Sequence, residues 1–72
     1  MLNAMPKIEL IVNGRKSETG AQTLAGLLDE HELSNAKVAT ALNGHFIPEG
    51  KRATTRINVG DSVEIVSARQ GG

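Results

Sequence analysis

Val38-Ala39-Thr40-Ala41-Leu42-Asn43-Gly44-His45-Phe46-Ile47 is where the fold can be worked out from first principles. An apolar run of extended character meets an Asn-Gly pair, the favoured sequence for a two-residue type I′ turn because both central residues need positive φ. A second apolar run then returns, so the stretch reads as a β-hairpin. The short turn sets Leu42 opposite His45, Ala41 opposite Phe46 and Thr40 opposite Ile47. Side chains alternate along a strand, so Val38, Thr40, Leu42 and Ile47 share one face and Ala39, Ala41 and Phe46 the other. The first set is the better core. The second is a flat patch of small residues around the one aromatic side chain. It is either a surface for a partner or a face covered within the fold.

Upstream, Ile8, Leu10 and Val12 alternate with Glu9 and Asn13, only Ile11 interrupting the period of a half-buried strand. Asn13-Gly14 is a second type I′ signal, and the polar return Arg15 to Glu18 suits a blunted edge strand. Gly20 breaks the pattern. Thr23 is placed as an N-cap ahead of Leu24, Leu27, Leu28 and Leu33, the apolar stripe of an amphipathic helix of about three turns that ends at Ser34-Asn35. Gly26 within it is read as a point of close packing on the sheet, and Asp29, Glu30 and Glu32 as a solvated face.

Downstream, Ile47-Pro48-Glu49-Gly50 fits a type I turn. Lys51 to Asn58 is polar and irregular, with Ala53 and Ile57 as its expected anchors. Val59-Gly60-Asp61 turns the chain into a final strand, Ser62 to Ser67, with Val63 and Ile65 inward. Hairpin, helix, hairpin, crossover and strand together describe an α+β fold, a β-grasp (ubiquitin-like) roll. Its mixed sheet of four to five strands packs on one main helix. The expected boundaries are a short disordered leader over 1–5, with Met1 or Met5 as the start, a single domain over 6–68 and a tail over 69–72.

The composition removes several classes of function. A chain of 72 residues forms one small domain, with little room for both a core and an internal catalytic cleft. It contains no cysteine, hence no disulfide, thiolate metal site or nucleophilic thiol. Eight basic residues balance eight acidic ones, and Phe46 is the sole aromatic, which argues against nucleic acid. The N-terminal residues show neither a signal peptide nor an apolar span, so no membrane partner is expected and a cytoplasmic location is the default. His31 and His45 stand alone, and no nucleophile, base and orienting group converge, so the chain is not expected to be an enzyme and no metal site is expected.

What remains is Arg69-Gln70-Gly71-Gly72. Glycine is common at chain ends, so the pair gains meaning only from the strand before it. If extended, Ala68 to Gly72 reaches about 17 Å beyond the fold. Such a tail could present the Gly72 carboxylate to another protein's active site, with Gly71, Gln70 and Arg69 lying along the approach. A carboxylate is a poor electrophile, and transfer to the α-phosphate of ATP makes an acyl-adenylate whose leaving group is AMP. The ATP, the magnesium and the cationic groups belong to the activating partner, and no cofactor is bound by this chain. Glycine lets the backbone pass a narrow channel without crowding the reacting carbonyl.

The chain resembles the ThiS family, the sulfur carriers of thiamine thiazole synthesis. The resemblance runs from Lys7 to Gly72 and rests on Val12-Asn13-Gly14, Gln22-Thr23-Leu24, Leu27-Leu28, Ala41-Leu42-Asn43-Gly44, Gly60-Asp61-Ser62-Val63-Glu64-Ile65-Val66 and Gln70-Gly71-Gly72. It implies that Gly72 is adenylated by an E1-like enzyme of the ThiF type. A cysteine-desulfurase or rhodanese relay would then convert it to a thiocarboxylate, and the sulfur would pass to thiazole synthase of the ThiG type. Arg69 departs from the family pattern, which more often has an apolar residue there. The alternatives are a MoaD-like carrier for molybdopterin synthesis, a ubiquitin-like protein modifier, and an interaction module with an inert tail.

Overall fold

The computed structural model describes residues 6–67. The leader over 1–5, the tail over 69–72 and Ala68, placed at the domain's end, lie outside the described residues. β1 (Ile8–Val12) and β2 (Arg15–Thr19) form the first antiparallel hairpin, in the register Ile8↔Thr19 to Val12↔Arg15. Asn13 and Gly14 adopt φ of 52° and 82°, the two positive values that a type I′ turn demands. α1 (Leu24–Glu30) follows. β3 (Val38–Leu42) and β4 (His45–Ile47) pair as the alternation requires, Leu42↔His45, Ala41↔Phe46 and Thr40↔Ile47. β5 (Ser62–Ser67) then inserts between the hairpins, parallel to β1 and antiparallel to β3, giving the order β2-β1-β5-β3-β4. This mixed sheet with its helix is the β-grasp, α+β architecture.

The core lies between α1 and one face of the sheet. Leu10, Val63, Leu24, Leu27 and Ile57 are buried together, with Ile8, Val12, Leu42, Ile47 and Ile65 packed around them. Each such side chain contributes on the order of 1.5–3 kcal/mol relative to exposure. Thr23 caps α1 as expected, its Oγ1 accepting from the Gly26 N–H at 3.1 Å. The crossover is stitched to this cap, since the Leu24 N–H donates to Thr55 O and the Ile57 N–H to Gln22 O.

The helix is shorter than its leucine spacing suggests, seven residues rather than about three turns. It ends at Glu30, before Ser34-Asn35, because Glu32 turns to φ 62°. There the Glu32 N–H donates to Asp29 O at 3.0 Å and the Leu33 N–H to Leu28 O at 2.8 Å. This is a Schellman closure, so Leu33 is the half-buried residue that accompanies the cap rather than a further helical turn. Glutamate holds a left-handed conformation that favours glycine. Glu32→Gly is therefore expected to raise stability by about 0.5–1 kcal/mol in a urea titration, and a loss would mean that the glutamate side chain itself supports the loop.

Three further details depart from the sequence reading. A Cβ on Gly26 would meet Ala21 Cβ at 3.1 Å, so the close approach is to the segment entering α1 and not to the sheet. Glu30 is not merely solvated: its carboxylate accepts from Thr19 Oγ1 at 2.5 Å and from the Gly20 N–H at 3.2 Å, fastening α1 to the end of β2. After Pro48 the chain forms a 3-10 turn, Glu49–Thr54. Within it Ala53 is exposed and Arg52 is buried. Arg52 Nε donates to Thr40 Oγ1 at 3.0 Å and Nη2 to Val38 O at 2.7 Å, so the arginine takes the place expected of Ala53, while Ile57 is buried as expected.

Candidate docking face and exit strand

The pleat that sends Leu10, Thr40, Val63 and Ile65 inward sends their neighbours to the opposite face. Phe46 is 67% exposed there, and Ala39 is exposed beside it. Register makes them one surface: Ala41 sits opposite Phe46 on one side and Glu64 on the other, while Ala39 pairs with Val66. Val66 is 62% exposed, and Ile11 on β1 adds a further apolar side chain to the face. The residues named from sequence, Ala39, Ala41 and Phe46, are thus brought onto one face, with Ala39 and Phe46 exposed and Ala41 half-buried. Val66 and Glu64 were missed. Their outward parity was readable from Val63 and Ile65 pointing inward, but their place beside β3 depends on a strand order that no local pattern reveals.

Val66 is the last but one residue of β5, the strand that precedes the C-terminal stretch in sequence. Gly72 lies six positions beyond Val66 in the sequence, a span of at most roughly 20 Å if the chain were extended. Arg69, Gln70, Gly71 and Gly72 themselves lie outside the described residues.

β5 is held by side chains as well as by strands. Asn43 Oδ1 accepts from the Ser62 N–H at 2.9 Å, and its Nδ2 donates to Asp61 Oδ1 at 3.1 Å. Asp61 Oδ2 accepts in turn from the Asn58 N–H. Asn13 Oδ1 accepts from the Ile65 N–H at 2.8 Å, and its Nδ2 donates to Ile65 O at 3.2 Å. Both asparagines read from sequence as turn residues and nothing more. Their second role leaves no sequence signal, because Asn-Gly suits the turn whatever the amide touches.

Among the described residues, no group of three or more His, Cys, Asp or Glu could hold a metal, and no helix is long and apolar enough to cross a membrane. His31 stands just past α1, whereas His45 opens β4. The outer face beside β5 thus exposes Phe46, Ala39 and Val66, with Glu64 next to Ala41.

The sequence pattern of the ThiS family matches residues 9–72, from β1 through the final glycine. The chain belongs to the ThiS family. The crystal structure of the thiamine biosynthesis protein ThiS from Geobacter metallireducens is similar to this ThiS-family chain, with a TM-score of 0.75 and 30% sequence identity over 90% of this chain and 100% of that one. No curated protein matches it. The resemblance carried by Asn13-Gly14, Leu27-Leu28, Asn43-Gly44 and the terminal glycines is borne out at the level of family and fold.

Proposed function

We propose that this ThiS-family chain is a sulfur carrier of thiamine biosynthesis, acting as substrate and sulfur donor for partner enzymes and not as a catalyst. The observation that carries the reading is that the family match runs through Gly72, so the two glycines belong to the family pattern and not to an unrelated end. A carboxylate oxygen of Gly72 attacks the α-phosphorus of ATP and pyrophosphate leaves. Attack by hydrosulfide on the acyl-adenylate then expels AMP and leaves a thiocarboxylate. A relay persulfide can serve equally, with a thiol cleaving the resulting S–S bond. The E1-like enzyme of the ThiF type contributes the ATP and magnesium, and thiazole synthase of the ThiG type receives the sulfur. A cytoplasmic setting accords with partners that consume ATP.

In this reading the outer face is the docking surface, and Phe46 is its anchor because an exposed aromatic among small residues inserts into a partner pocket with little loss of conformational freedom. Phe46→Ala is expected to raise the KM of ATP-dependent activation about tenfold, with kcat and the thermal midpoint unchanged, since the ring is 67% exposed. An unchanged KM would remove the patch from the site. The functional reading itself is tested by incubating the chain with an E1-like adenylating enzyme, ATP and magnesium and following exchange of pyrophosphate into ATP. Exchange that depends on Gly72 supports a carrier; its absence would leave an interaction module.

A further inference from the structure

We propose that Asn13 is a positioning residue that sets the direction in which the chain leaves the domain toward Gly72. Its catalytic consequence rests on the sulfur-carrier reading above; its structural consequence does not. β5 is flanked unequally. On one side β3 pairs with it to its last residue, from Leu42↔Val63 to Val38↔Ser67. On the other, β1 offers only Ile11↔Ser62 and Val12↔Val63 before the chain turns away. The Asn13 N–H still reaches Val63 O at 2.8 Å, and beyond that point the bonds to β5 come from the Asn13 side chain.

The amide of Asn13 presents an acceptor to the Ile65 N–H and a donor to Ile65 O, the pattern that a neighbouring peptide unit would present. It acts as one added rung of the β1–β5 ladder, contributed by a side chain 52 residues away in sequence. The amide is aimed by the turn, because φ of 52° at Asn13 and 82° at Gly14 fix where its Cβ points. Without this rung, the last residues of β5 are held from the β3 side alone. Val66 and Ser67 can then swing about that single hinge line. Asn43 supplies a natural comparison, since it holds β5 with similar bonds but at Ser62, the end remote from the exit.

The test compares Asn13→Gly, which keeps the positive φ and removes the amide, with Asn43→Gly, which does the same at the other turn. Hydrogen exchange of the Ile65 amide, measured by NMR relative to amides central to the β1–β2 ladder, is expected to accelerate about tenfold in Asn13→Gly and to hold in Asn43→Gly. With the E1-like enzyme and ATP, Asn13→Gly is expected to lose at least about tenfold in kcat with KM kept, because docking survives while the carboxylate is presented off line. Asn43→Gly should keep its kcat. Asn13→Asp, which retains the acceptor but sets a carboxylate oxygen against Ile65 O, should move both readouts in the same direction as Asn13→Gly and decides the matter if the glycine variant does not fold. Unchanged Ile65 exchange, or equal rate losses in the Asn13 and Asn43 variants, would overturn the proposal. A wild-type chain that is not adenylated overturns the carrier reading and the catalytic consequence with it, while the exchange rates still decide whether Asn13 holds the strand.

Discussion

Gly72→Ala is expected to lower ATP-dependent activation by at least about 10²-fold while leaving the urea midpoint where it is. The core that stabilises the domain is Leu10, Leu24, Leu27, Ile57 and Val63, all several residues before the tail, so a terminal methyl group has no part in burial. Its effect falls on the reacting carbonyl. Adenylation needs the carboxylate in line with the α-phosphorus, and a Cβ on the adjacent carbon both widens the terminus and restricts its backbone. The measurement is pyrophosphate release by the E1-like enzyme, with the variant also offered as a competitor of the wild-type chain. Competition without turnover is the expected pattern, because the docking face is intact. An alanine variant that reacts at the full rate would remove Gly72 from the role proposed for it.

The second large effect belongs to folding. Arg52→Ala is expected to cost about 2–3 kcal/mol, read from the urea midpoint at constant m-value. The guanidinium joins the 3-10 turn to β3 through Thr40 Oγ1 and Val38 O, and Thr40 Oγ1 donates onward to Ile47 O at 2.9 Å on β4. One buried side chain therefore ties three segments. A single core in a domain of this size rarely supplies more than about 3–5 kcal/mol, so that loss is expected to leave a large unfolded fraction. Arg52→Lys should recover only part of it, since a single ammonium lacks the planar fork that serves both acceptors. If Arg52→Met proves as stable as the wild type, the polar bonds contribute nothing beyond the packing of the stem.

Arg52 also marks where the sequence stops being informative. Arginine ordinarily faces water, and its burial here depends on acceptors at Val38 and Thr40, 14 and 12 positions away, which no local pattern brings together. The second hairpin was the opposite case. A two-residue turn and strict alternation leave one register, so Ala39, Ala41 and Phe46 could be placed on one face from residues alone, and they are there. Thr23 was legible because an N-cap is a local bond. Glu32 was not, because a left-handed glutamate contradicts the glycine or asparagine that such a position favours. The insertion of β5 between β1 and β3 extends the exposed outer face to Val66, and long-range pairing of this kind lies beyond periodicity. Of the tail, the sequence gives chemistry and the family gives context; the described fold contributes the strand that leads to it.

The most direct test of the carrier account is the intact mass of the chain isolated from its own cells under conditions that spare thioacids. The account predicts a species in which sulfur replaces one oxygen, located by fragmentation at Gly72. A mass without sulfur accompanied by conjugates through lysine would contradict it in favour of a protein modifier. An unaltered chain, even after supply of ATP, the E1-like enzyme and sulfide, would contradict it in favour of an interaction module with an inert tail.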